Sequence, residues 1–302
     1  MSFGKKAESP HTYAKPWPKV GRANVLGIGV HAVNLDRAAD IIETAVDANR
    51  KGYVCVTGVH GVMEAQRSSA FRTVLDEALL VVPDGVPMVW IGRFQGHEIG
   101  RVFGPDLMKE ICRRSLSSGH THFLYGGNPG VAEKLKQNFE RRFPGIRIVG
   151  TYTPPFRPLS ATERAGLEGQ LLKATPDFLW VGLSTPKQER FMAENLGFLN
   201  CKIMLGVGAA FDIHTGRVKD APDWVKRSGL QWLHRLGQEP SRLWKRYLIN
   251  NTGFLIRIIF QLGGLKPYQF SQPLNRNAAQ SSSLRPAHRV PRDPSVCERG
   301  NT

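Results

Sequence analysis

Short apolar runs rich in Val, Ile and Leu alternate with longer stretches of helical periodicity along most of the chain. The strand-like runs are Asn24–Val33, Tyr53–Val59, Leu79–Val82, His122–Tyr125, Ile146–Thr151, Phe178–Leu183 and Lys202–Val207. Helical patterns fill the gaps, over Leu35–Asn49, Pro105–Ser117, Gly130–Phe143, Ala161–Ala174 and Pro186–Asn195. Repeated strand–helix order predicts an α/β fold, a parallel sheet with helices on both faces.

The pattern changes near Pro222. Beyond it the chain reads as helical, basic and aromatic, and Gly229 and Pro240 divide it into two or three pieces. The expected organisation is a disordered leader over 1–22, an α/β body over 23–221, a basic helical C-terminal appendage over 222–270, and a disordered Ser/Pro/Arg-rich tail over 271–302.

Charge sharpens that division. The 302 residues carry 41 Lys and Arg against 25 Asp and Glu, a net charge of +16. From Arg217 onward there are 15 basic and 5 acidic residues, so most of the excess lies in the last third. Such a block suits phosphate groups, whether of nucleic acid, anionic lipid or a diphosphate-linked substrate. A solvated basic tail has the same composition. Four scattered cysteines support neither a disulfide framework nor a zinc site, and fit a reducing compartment. The polar, Pro-rich start shows no secretory signal, and no apolar run is long enough to span a membrane.

Parallel sheets bind ligands at the carboxyl ends of their strands. Four segments qualify: Thr57-Gly58-Val59-His60-Gly61, Pro83-Asp84-Gly85, Gly126-Gly127-Asn128-Pro129-Gly130, and Ser184 to Glu189. Asp84 follows the apolar run Leu79–Val82, where a carboxylate can take a proton from an attacking hydroxyl or hold a sugar hydroxyl. Asp-Gly also serves as an Asx-turn or helix cap. The Gly126–Gly130 loop resembles a phosphate cradle or a plain tight turn, and matches neither the dinucleotide fingerprint nor the P-loop. Gln188 offers an amide to a base or a sugar hydroxyl, at a helix start where Glu189 suits the macrodipole. His60 and His214 are lone histidines without metal-ligand spacing, and no DxD pair is present. In the appendage, Arg235, Arg242, Lys245, Arg246 and Arg257 interleave with Trp232, Trp244, Tyr247 and Phe254. That mixture fits a diphosphate at a bilayer interface, a nucleic acid, or an amphipathic helix with a wet basic face.

In order, VTGVHGVMEAQR, LLVVPDGVPMVW, RVFGPDLM, FLYGGNPGVAEKL, DFLWVGLSTPKQERFM and MLGVGAAFDIHTGRVKDAPDWVKRSGLQWLHRLGQEPSRLWKRYL resemble the WecG/TagA/CpsF family of bacterial glycosyltransferases, from Val25 to Tyr247. The resemblance implies a Rossmann-like body and inverting transfer from a UDP-sugar donor to a polyprenyl-pyrophosphate-linked acceptor. The reaction would feed cell-surface polysaccharide synthesis at the inner face of the plasma membrane. It implies no cofactor and no metal held by a DxD motif, and an appendage that meets an anionic membrane surface. Carried over by motif, Asp84 would be the general base. Thr57, Gln188, the adjoining His60 and the Gly126–Gly127 turn would line the donor or acceptor site, and Arg235, Arg242 and Arg246 would neutralise the diphosphates.

One position departs from the family. Val59 stands where members often carry an asparagine, and Val cannot pair with an acetamido group. N-acetylmannosamine, its uronic acid and a hexose such as glucose therefore all stand as donors at this point. Two other classes remain: a nucleic-acid-binding protein using the basic C-terminal half, and a non-catalytic scaffold of a polysaccharide assembly complex.

Overall fold

The structure, a computed structural model, describes residues 18–270; the side chains of Arg227 and Arg242 are not among those described. The leader expected over 1–22 lies outside these residues up to 17, and the expected tail over 271–302 lies outside them entirely.

The first expected strand, Asn24–Val33, is not part of the main sheet. β1 (Arg22–Val25) and β2 (Ile28–His31) form a separate antiparallel hairpin, turned by Leu26 and Gly27 at φ of 52° and 83°. Two positive φ values in a two-residue loop give the turn whose twist matches a hairpin, a local feature that an apolar run does not reveal.

α1 (Leu35–Asp47), capped by the Asn34 side chain, leads into β3 (Gly52–Thr57). α2 (Val59–Arg67) and α3 (Ser69–Asp76) precede β4 (Leu80–Pro83), then α4 (Val86–Phe94) and α5 (Gly104–Ser118) precede β5 (Thr121–Gly126). The body continues through α6 (Val131–Arg142), β6 (Arg147–Tyr152), α7 (Ala161–Ala174), β7 (Phe178–Gly182), α8 (Lys187–Glu194), β8 (Ile203–Gly206) and α9 (Ala210–His214). The six strands β3 to β8 coincide with the remaining expected runs. They form one sheet in the order β4-β3-β8-β7-β5-β6, parallel throughout.

Alternation along each strand feeds two cores. Val54, Val56, Leu205 and Trp180 face α1, α5, α6 and α9, while Tyr53, Cys55, Met204 and Val181 face the hairpin, α2, α3, α4, α7 and α8. The expected α/β fold with helices on both faces is what the chain adopts. Because the last strand, β8, inserts between β3 and β7, the loops after β4, β3, β8 and β7 lie side by side along the carboxyl edge.

The appendage is helical, as the pattern predicts. α10 (Asp223–Arg227) and α11 (Gln231–Gln238) are separated by Gly229 at φ 78°, and Pro240 opens α12 (Pro240–Leu262). Leu243, Phe254 and Ile258 are buried, and α12 packs on α2. At its far end Gln261 clasps the hairpin, accepting from Leu26 N at 2.8 Å and donating to Asn24 O at 2.8 Å. The outward side of α12 is apolar and exposed at Leu248, Ile249, Ile256, Ile259 and Phe260. Among the described residues no helix is long and apolar enough to cross a membrane.

Candidate active site

The loops at the carboxyl edge and the appendage enclose a cavity of about 1180 Å³. Its wall includes Asp84, His60, Gly127, Gln188, Arg235 and Arg246, which the chain sequence scatters over more than 180 positions. Two local features bring the first loops together. Asp84 N donates to Thr57 O at 2.9 Å, and a Cβ at Gly58 would lie 2.6 Å from Asp84 O, so only glycine fits there. Gly85, at φ 99°, then turns the chain into α4.

Asp84 is half-buried in the cavity wall. Burial pushes its carboxyl up to about 6; Arg101 and Arg235 pull against this, and Asp106 adds a further push. A carboxylate titrating near neutrality is suited to exchange a proton with a substrate hydroxyl.

Arg101 belongs to the site although sequence reasoning missed it as a site residue. It lines the cavity, stacks 4.5 Å over the Phe103 ring, and donates to Gln231 Oε1 and to Lys226 O. The signal was present, since Arg101 opens the RVFGPDL segment, but nothing in spacing alone directed its side chain toward Asp84. Arg101, Arg235 and Arg246 share a further property. The Nε of each is buried with no hydrogen-bond partner among the described residues. All three side chains line the same cavity, and their guanidinium charges give its wall a cationic side suited to an anion.

Gln188 is buried and held at both ends of its amide. Its Oε1 accepts from Gly208 N at 2.9 Å, and its Nε2 donates to Glu189 Oε1 at 3.0 Å. One amide N–H remains for a ligand. The same Glu189 oxygen accepts from Thr185 Oγ1 at 2.8 Å, and burial pushes the Glu189 carboxyl up.

Other expected residues take different places. Thr57 is buried outside the cavity wall, its Cγ2 against Gly61 and its hydroxyl 3.4 Å from Cys55 O; its carbonyl positions Asp84. Gly126 is likewise outside the wall, at φ 126°, because its backbone lies against Gly182 with no room for a Cβ. Gly127 lines the cavity, with its N–H spent on Gly182 O at 3.1 Å. His60 lines it with both ring nitrogens near protein partners, Thr185 O at 3.3 Å and Asn250 Nδ2 at 2.9 Å. His214, half-buried and away from the cavity, bonds Pro105 O and packs against the Phe139 ring. Arg242 falls in the first turn of α12, with its side chain outside the description. Among the described residues, no three His, Cys, Asp or Glu side chains gather as a metal ion would need.

A family model described as the glycosyl transferase WecG/TagA/CpsF family matches residues 23–267, hairpin, body and appendage together. The chain belongs to this family. It is 28% identical over 206 residues to an N-acetylglucosaminyldiphosphoundecaprenol N-acetyl-beta-D-mannosaminyltransferase of Bacillus spizizenii strain W23, covering 68% of this chain and 78% of that protein. A protein of the same description from Bacillus subtilis strain 168 is 31% identical over 176 residues, 58% of this chain and 66% of that protein. Glycosyl transfer is thus the activity of this WecG/TagA/CpsF family member. Its cavity sets one titratable carboxyl, Asp84, beside the cations of Arg101, Arg235 and Arg246.

Proposed function

We propose that this protein transfers N-acetylmannosamine from a UDP-sugar to the N-acetylglucosamine of a polyprenyl-diphosphate-linked acceptor, with inversion, for cell-surface polysaccharide synthesis. The observation that carries the reading is the grouping of the Arg101, Arg235 and Arg246 side chains with the Asp84 carboxyl in the wall of one cavity. A nucleic-acid reading would set these side chains along an open face; here they line a cavity with a titratable carboxylate. The donor sugar and acceptor are those in the names of the two Bacillus relatives; Val59, in the cavity wall with no amide to pair an acetamido group, keeps a hexose as the rival donor that the test below decides.

The Asp84 carboxylate takes the proton of the acceptor hydroxyl as that oxygen attacks the anomeric carbon. The new carbon–oxygen bond forms on one face while the bond to the UDP oxygen breaks on the other. The electron pair leaves with UDP, and the proton rests on Asp84. The arginines receive charge on the diphosphates, whether of the leaving group or of the acceptor, in a site where fixed dipoles and cations act with little reorganisation. Arg242, one turn before Arg246, belongs to the same proposed set.

The acceptor's lipid places the reaction at a membrane. The apolar outward side of α12 and the basic excess of the appendage fit the cytoplasmic face of an anionic bilayer, with the protein peripheral. The test is a panel of UDP-sugars with a short-chain polyprenyl-diphosphoryl N-acetylglucosamine acceptor, with and without EDTA. UDP-N-acetylmannosamine is expected to turn over and to survive chelation. Asp84→Asn is expected to lose about 100- to 10,000-fold in kcat, the range of a general base. Turnover of glucose alone would replace the donor, and near-normal Asp84→Asn activity would remove the base.

A further inference from the structure

His60 joins three parts of the molecule that meet nowhere else in the sequence. Arg67 Nη2 donates to Asn250 Oδ1 at 2.6 Å, which fixes that atom as the oxygen and leaves the Asn250 Nδ2 amide as donor. Nδ2 lies 2.9 Å from His60 Nδ1, so this ring nitrogen accepts. The ring proton then sits on Nε2, 3.3 Å from the Thr185 carbonyl that receives it. From Thr185 the line continues through its hydroxyl to Glu189 Oε1, and from there to the Gln188 amide. Two hydrogen-bonded segments, joined through the covalent frame of Thr185, thus link α12 to the floor of the cavity.

Asn250 is buried, and it follows Arg246 by four positions, which places the two on one face of α12. An anchor at Asn250 therefore sets the reach of Arg246. The other holds on α12 lie further along, at Phe254, Ile258 and Gln261. Among the described residues, the stretch that carries the arginines is held besides by the buried Leu243 and by Tyr247, edge-on to the Trp232 ring of α11, so the Asn250 anchor supplies its polar hold.

We propose that His60 is a positioning residue that pins α12, and with it Arg246, over the cavity by bridging the Asn250 amide to the Thr185 carbonyl. Its consequence for turnover rests on the transferase reading above; its consequence for α12 does not. The charged groups around the ring are Arg246 on α12 and Arg67 and Glu64 on α2. Burial, followed by Arg246, holds the imidazole below its ordinary value; Arg67 adds to this, while the Thr185 bond and Glu64 oppose it. The bridge is thus intact at neutral pH. It opens as pH falls through that lowered value, when a proton on Nδ1 would face the Asn250 donor.

The experiment compares full-length wild type, His60→Leu, His60→Gln and Asn250→Leu by hydrogen exchange and steady-state kinetics with a soluble short-chain acceptor. His60→Leu is expected to speed exchange over 240–250 far more than over 254–262. It is also expected to raise the acceptor KM roughly tenfold, the equivalent of one lost net hydrogen bond. His60→Gln, whose carboxamide offers one acceptor and a donor, regains much of both effects. Asn250→Leu breaks the bridge from the helix side and gives the same pattern even if His60→Leu fails to fold. Unchanged exchange over 240–250 in both Leu variants overturns the proposal, as does a loosened helix with an unchanged acceptor KM. A wild type that transfers no sugar would remove the transferase reading, while the exchange data would still decide the bridge.

Discussion

Gln188 and Glu189, neighbours in the chain, are joined side chain to side chain: the Gln188 amide donates to Glu189 Oε1 at 3.0 Å in the cavity floor. The second Glu189 oxygen is buried with no partner among the described residues. A carboxyl kept out of water on these terms costs stability and is retained for what it orients, here Gln188 and Thr185. Glu189→Leu would strand the Thr185 hydroxyl and release the Gln188 amide. We expect a loss of about 1–3 kcal/mol in denaturant unfolding and a kcat/KM lowered by roughly tenfold or more. Glu189→Gln, which keeps an acceptor, is expected to fall between the two.

Asp84 makes a pH prediction with a definite sign. Its carboxyl is raised to about 6, so kcat/KM is expected to fall tenfold per pH unit below that value as the base is protonated. Arg101 favours the carboxylate, so Arg101→Met is expected to move this acid limb to higher pH. A pH–rate profile of each protein checks both.

The same shift has a stability consequence. A group raised from 3.8 to about 6 on folding contributes stability that is fully present below the lower value and is lost as pH rises through the upper one. Asp84→Asn carries no such penalty. It is expected to be more stable than wild type at pH 8 by about 1–2 kcal/mol, the roughly 3 kcal/mol of the full shift reduced by solvent screening of a half-buried group, and to lose that advantage below about pH 4. Equal unfolding midpoints at both pH values would show that the carboxyl is better solvated than its surroundings imply.

Gly58 holds two catalytic-edge loops in contact. Gly58→Ala would place a Cβ 2.6 Å from the Asp84 carbonyl oxygen, which is backbone and cannot swing aside. We expect about 1–3 kcal/mol of destabilisation from the overpacking and a larger proportional loss of turnover, since the loop that moves carries Asp84. Thermal unfolding and kinetics of the one variant measure both.

The exposed apolar side of α12 predicts vesicle binding. Ile249→Glu, Ile256→Glu and Ile259→Glu together are expected to abolish co-sedimentation with anionic liposomes. None of the three lines the cavity, so turnover of a soluble acceptor is expected to stay near wild type. Retained co-sedimentation that disappears at high salt would assign the contact to the basic residues instead.

Much of this protein was legible in its residues one segment at a time. Strand–helix alternation determined the parallel α/β body, Gly229 and Pro240 determined the breaks in the appendage, and Asp84 after an apolar run marked the carboxyl edge. These are local consequences of side-chain periodicity and backbone restriction, which act over a few positions. What required tertiary structure was every relationship across the sheet. The run Asn24–Val33 became a hairpin because two residues turn it back on itself. Thr57 and Gly126 went behind the cavity wall because the loops beside them pack backbone to backbone. Arg101 came near Asp84 because Val102 N bonds Pro83 O, and His60 reached Asn250 because α12 folds back over α2. Residue type and spacing state what a side chain can do; the order of strands decides which side chains meet.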